Sequence, residues 1–167
     1  GRRQVKRRDS IRAVLSENFD EYLTGIIHEW LKRLTVWGFT LVPFFFILDY
    51  FIMPEEILFR FGAYRFISTA VLIVQFFIIL HSKVNKWTYL HGHLISLHIA
   101  GIIVLMTIDL GGFNSSYYAG LNLVIIAVNL LLPWSMIHSA LNCAIIIALY
   151  LAGNIIVGHP YDKSILV

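Results

Sequence analysis

Apolar residues fall in long runs separated by short polar interruptions, and that alternation sets the expected architecture. The runs over residues 34–53, 61–81, 87–109, 117–132 and 135–157 each approach the roughly 20 residues that a helix needs to cross a hydrocarbon core, the fourth being short. No Asp, Glu, Lys or Arg occurs from Trp87 to Ile108 or from Leu110 to Tyr161. Ahead of the first run, Ile11, Val14, Leu15, Phe19, Tyr22, Leu23, Ile26, Ile27 and Trp30 recur at threes and fours, the spacing of an amphipathic helix. The predicted fold class is therefore all-α and integral to a membrane: an antiparallel bundle of transmembrane helices with an N-terminal amphipathic helix on, or running into, the cytoplasmic face. Five spans are visible, and residues 164–167 are expected to lead into a sixth. Two parts follow, a basic arm with its interfacial helix over residues 1–33 and a transmembrane bundle over 34–167.

The interruptions carry breaker chemistry. Pro43 lies inside the first run and predicts a kink that neighbouring helices accommodate. Pro54 followed by Glu55 and Glu56 suits a helix N-terminus, where a missing N–H costs nothing and acids meet the positive end of the dipole. Between the third and fourth runs, Asp109-Leu-Gly-Gly-Phe-Asn-Ser-Ser-Tyr-Tyr-Ala-Gly120 is a polar, glycine-rich hinge. Pro133-Trp134 breaks the fourth run from the fifth, which ends at Gly158-His159-Pro160.

Composition agrees: 58% of residues are hydrophobic and 14% charged, against about 25% charged in soluble domains. Arg2, Arg3, Lys6, Arg7, Arg8, Arg12, Lys32 and Arg33 precede the first run, and Lys83 and Lys86 lie in the loop two spans later. The positive-inside rule places both in the cytoplasm and the Gly111-Gly112 hinge outside, so the basic excess reports membrane orientation rather than nucleic-acid binding. The single Cys143 excludes an internal disulfide and reads as a small core residue.

Two charges stand within the apolar runs. Asp49 lies near the end of the first, and Arg65, near the start of the second, is placed to snorkel outward or to pair with it. Tyr117 and Tyr118 read as interfacial belt aromatics or as ligand contacts, the belt being favoured by their position. Gln75, Asn122, Asn129 and Asn142 are polar enough to line a small-molecule pocket or to act as interhelical glue.

The segment from Gly111-Gly112 through Ser116-Tyr117-Tyr118-Ala119-Gly120-Leu121-Asn122-Leu123 to Leu131-Leu132-Pro133-Trp134 resembles the six-span N-terminal sensor domain of bacterial membrane histidine kinases and membrane-anchored nucleotide cyclases. Pro43, Asp49, Pro54 and Arg65 look like the same group. The resemblance implies an input domain in the bacterial inner membrane with a cytoplasmic N-terminus and lipid around it. It also implies a homodimer and a cytoplasmic kinase or cyclase effector in the full-length protein. Asp49, Arg65, Tyr117, Tyr118, Gly120 and Asn122 are the ligand or gate candidates. Some members of the group are thought to hold haem.

Histidine is a haem ligand, and imidazoles from two helices can hold b-type haem by its iron. Of seven histidines, His81, His91, His93, His98 and His138 fall near the cytoplasmic ends or inner halves of the second, third and fifth runs. His91 and His98 share a face of one helix but stand about 10.5 Å apart along its axis, so each needs a partner from another helix, His81 or His138. These four are the candidate ligands of a haem b. His93 lies roughly opposite His91 and reads as a neighbour or an interfacial group. Gly92 and Gly101 would let a macrocycle or a helix approach. The alternative for His98 is a hydrogen bond to Ser96, Asn122 or Asn129 that specifies packing. His28 is expected on the polar side of the amphipathic helix, and His159 in an exterior loop. Paired cysteines, His-Glu-x-x-His, a phosphate loop and a nucleophile elbow are all missing. Three functions remain open: a haem-holding sensor, a haem-free receptor for a small apolar signal or lipid, and an electron-transferring cytochrome b.

Overall fold

The computed structural model describes residues 2–158, with side chains described from residue 14 onward apart from 16 and 17. His159 and the expected lead into a sixth span lie outside the described residues, as do the side chains of the basic arm. The described chain is helical throughout, without a strand: α1 Arg2–Ile52, α2 Glu55–His81, α3 Trp87–Asp109, α4 Ala119–Leu131 and α5 Met136–Val157. Two 3₁₀ turns, Gly112–Asn114 and Ser116–Tyr118, form the hinge before α4.

Four helices, Asn18–Ile52 of α1 and the whole of α2, α3 and α5, are long and apolar enough to cross a membrane. The thirteen residues of α4 make about 20 Å of helix, short of a hydrocarbon core of about 30 Å. The amphipathic segment runs directly into the first apolar run, since nothing interrupts α1 from Arg2 to Ile52 and Pro43 sits within it.

The breakers act as their chemistry requires. Pro54 takes φ −60°, ψ 145° and launches α2 with Glu55 and Glu56 in its first turn. Gly111 and Gly112, at φ 101° and 64°, supply the left-handed backbone of the hinge. Ser115 Oγ accepts from Tyr117 N at 3.1 Å and sets the next turn. Leu132 is extended, as a residue before proline should be, and Ser135 caps α5.

Among the helices, α3 packs against all four others, and 39% of its apolar window is inside the protein against 17–22% for the other three long helices. Its Ile95 joins Ile27, Leu31 and Leu34 of α1, Leu72 and Ile79 of α2, Val128, Leu132 and Trp134 in one core cluster. Ala100 and Val104 join Leu121 and Ile146 in a second, nearer the hinge. The outer faces stay apolar, with Phe44, Phe51, Phe59, Phe66, Leu130 and Ile156 exposed. Bare apolar area on this scale suits hydrocarbon rather than water.

Candidate functional site

A closed polar network ties three helices together at the hinge end. Arg65, only 9% exposed, donates from Nε to Asp49 Oδ2 at 2.5 Å, from Nη1 to the Val42 carbonyl at 3.3 Å and from Nη2 to Tyr117 Oη at 2.8 Å. Tyr117 Oη in turn donates to Asp49 Oδ1 at 3.1 Å, so each member binds the other two. Two charges removed from water are tolerable because the pair cancels and both carboxylate oxygens have donors. The Phe61 ring sits edge-on to Tyr117 at 5.8 Å, and the guanidinium lies over Phe45 at 5.7 Å. Close by, Asp109 at the end of α3 accepts from Arg60 Nη1 at 2.8 Å and Tyr64 Oη at 3.1 Å, fastening α3 to α2.

Beside this network lies a cleft of about 200 Å³ between α1 and α4, backed by α3 and α2. Its walls are apolar: Trp37, Phe45, Ile99, Ile103 and Val124 among them, with Gly38 and Gly120 giving it width. A Cβ at Gly120 would meet Ile103 Cγ2 at 3.3 Å, and one at Gly38 would meet Leu72 Cδ1 at 3.2 Å. Arg65 and Ser68 of α2 supply the charged and hydroxyl groups of the lining. Ser68 Oγ is hydrogen-bonded to His98 Nε2 at 3.0 Å.

Of the six gate candidates, Asp49, Arg65 and Tyr117 thus come together, and Gly120 lines the cleft that Arg65 also lines. Tyr117 is not a belt residue: its hydroxyl is held by the ion pair. Tyr118 is 49% exposed and, with the exposed Asn122, borders a separate groove toward Ile147 and Tyr150 of α5.

The histidines are distributed differently from the expectation. His98 reaches Ser68 on α2, not Ser96, Asn122 or Asn129, and Ser96 accepts instead from Asn142 Nδ2 at 3.0 Å. His138 shares a hydrogen bond of 3.1 Å between its Nδ1 and His93 Nε2, and stacks on Tyr89 at 4.4 Å. His93, set aside on the helical wheel, is therefore the partner of His138, with the Trp134 ring 4.8 Å away. His81 is exposed and turns Nδ1 back to the Phe77 carbonyl of its own helix at 2.8 Å. His91 is half-buried, and its carbonyl accepts from Gln75. The space beside Gly92 is filled, since a Cβ there would meet Trp134 Cζ3 at 3.1 Å. Among the described residues no group of three His, Cys, Asp or Glu side chains converges as metal ligands, and no two of His81, His91, His98 and His138 share a hydrogen bond or ring contact.

His28 is corrected too. It is 4% exposed, because it shares the packed face of α1 with Ile27, Leu31 and Thr35, and its Nδ1 has no hydrogen-bond partner. A further knot escaped the sequence reading: Asn129 Oδ1 accepts from Ser139 Oγ at 2.5 Å and Trp134 Nε1 at 3.3 Å, pinning the Pro133 corner. Its signal was the crowding of Asn129, Trp134 and Ser139 around one proline.

The chain matches no protein-family model, and no curated protein or solved structure is significantly similar to it.

Proposed function

We propose that this chain is the membrane-embedded sensory input domain of a bacterial signalling receptor, with the cleft beside Arg65 as its ligand site. In this reading the helices form an antiparallel bundle in the inner membrane with a cytoplasmic N-terminus, α4 and its 3₁₀ lead being a fifth, short span. The domain acts as a homodimer and delivers its state to a cytoplasmic effector, a histidine kinase or nucleotide cyclase in the full-length protein.

The observation that supports the reading is the meeting of an apolar cleft with a buried charge network whose members belong to α1, α2 and the 3₁₀ turn that leads into α4. A molecule seated there touches the groups that hold those helices together. It shifts the domain only by the difference in its affinity for two packings, and such a difference arises naturally where its contacts are also the interhelical contacts.

Spin labels on cysteines replacing Asn18 and Asn85, in a Cys143→Ser background, test this. Ala127 lines the cleft from α4, and Ala127→Leu fills part of it. The expected result is a distance distribution in lipid nanodiscs that moves between populations when the cleft is filled. One unchanged population in both proteins would sink the receptor reading.

A haem-holding sensor and an electron-transferring cytochrome b place the chemistry on the histidines instead. In both, the hydrogen bonds of His98 Nε2 to Ser68 and of His138 Nδ1 to His93 would orient imidazoles that bind through the other ring nitrogen. The visible spectrum of protein expressed with ample haem, oxidised and dithionite-reduced, decides: absence of a Soret band removes both.

A further inference from the structure

We infer that the cleft between α1 and α4 binds a neutral lipophile of about eight non-hydrogen atoms carrying one hydrogen-bond acceptor, which arrives sideways from the bilayer and lays that acceptor on Arg65. The inference deepens the receptor reading and rests on it for its biological meaning, but the binding site stands on its own observations.

The route comes from the mouth. Trp37 and Leu41 of α1 and Leu123 of α4 line the cleft and are each 47–56% exposed, and α1 and α4 flank it without extended packing against each other. The opening is therefore on the apolar flank of the helices, where hydrocarbon would lie, and a solute reaches it by partitioning into the membrane.

Size follows from volume. A dry cavity of about 150 Å³ takes benzene, with its six heavy atoms. By proportion the cleft's volume of about 200 Å³ admits about eight.

The acceptor follows from donor arithmetic. A guanidinium carries five N–H groups, and three are spent on Asp49, Val42 and Tyr117. One N–H on each terminal nitrogen remains, on a side chain that is 11% exposed and lines the cleft. Buried donors of a charged group are costly to leave unmet. Neutrality follows because Asp49 already cancels the charge of Arg65: an anionic ligand would bring a second negative charge to a pair that needs none.

The test uses the full chain in nanodiscs and follows Trp37 fluorescence, with Trp37→Phe as the blank. The probes are 2-octanone, n-octane and octanoate, compared at equal concentration within the bilayer. 2-Octanone is expected to bind about tenfold tighter than n-octane, since a hydrogen bond to a charged donor is worth at least about that factor, and octanoate no better than the ketone. Ala127→Leu, which keeps the charge network, is expected to weaken 2-octanone at least fivefold without lowering the melting temperature. The double variant Asp49→Leu/Arg65→Met, which leaves no unpaired charge, is expected to bind ketone and alkane alike. Equal binding of ketone and alkane by the wild type, tightest binding by octanoate, or indifference to Ala127→Leu would each overturn the inference. Tight ketone binding that leaves the spin-label distances unchanged would instead defeat the receptor reading while the site stands.

Discussion

Replacing Asp49 with alanine strips a buried guanidinium of its counter-charge, and the structure allows the cost to be ranked against its neighbours. Arg65 is 9% exposed and would keep the Val42 carbonyl and Tyr117 Oη as its acceptors, neither of them charged. Removing one partner of a buried ion pair costs about 3–5 kcal/mol. Tyr117→Phe deletes a hydroxyl that accepts once and donates once. Interhelical hydrogen bonds in membranes average about 0.6 kcal/mol, with a maximum near 1.7, so losing two costs about 1–3 kcal/mol. In Asp49→Leu/Arg65→Met no charge is stranded, and substitutions of that kind range from neutral to stabilising. The expected order of stability is the double variant at or above wild type, then Tyr117→Phe, then Asp49→Ala. Reversible unfolding in mixed micelles, followed by circular dichroism, measures it. If the double variant is no more stable than Asp49→Ala, the pair is not what holds this end together and the reasoning fails.

Other outcomes follow from the same geometry. Gly111→Ala places a Cβ at φ 101° and should cost about 1–3 kcal/mol, whereas Gly25→Ala, in mid-helix with open space at the Cβ position, should stabilise by about 0.5–1 kcal/mol; equal effects would deny the hinge its left-handed backbone. In a Cys143→Ser background, a cysteine replacing Asn85 should react with a membrane-impermeant maleimide only in inside-out vesicles, and one replacing Asn114 only in right-side-out cells; the opposite pattern inverts the proposed topology. His93→Phe should loosen α5 from α3, because its Nε2 bond to His138 crosses between them, and should raise amide exchange at the start of α5 with little change near Arg65. Uniform exchange through both regions would contradict a local role.

Helix ends were legible because Pro54, Gly111-Gly112 and Pro133 act on the backbone within a residue or two, whatever packs around them. The Asp49–Arg65 pair was legible for a different reason: a charge inside an apolar run has few ways to be satisfied. Tyr117 was misjudged because a tyrosine at a span's edge is ordinarily an interfacial anchor, and nothing local reveals that its hydroxyl meets two helices distant in sequence. The same limit governs His98. A helical wheel gives the face of its own helix but not the rotation of α2, which brings Ser68 opposite. His28 failed in the other direction: Glu29, Lys32 and Arg33 beside it suggest a polar face, yet the row Ile27, Leu31, Leu34 and Thr35 carries its side chain into the core.

Because α1 is unbroken from Arg2 past Gly38, in the proposed receptor it would serve as a lever arm with the cleft at its fulcrum. Thirty-six residues separate those positions, about 54 Å of helix. A tilt of about 5° about Gly38, of the order that a side-chain-sized wedge imposes, sweeps the far end through about 5 Å, close to one helical turn. In the proposed receptor, a displacement too small to disturb the packing at the cleft would thus reach the basic end at a size that another protein surface could read.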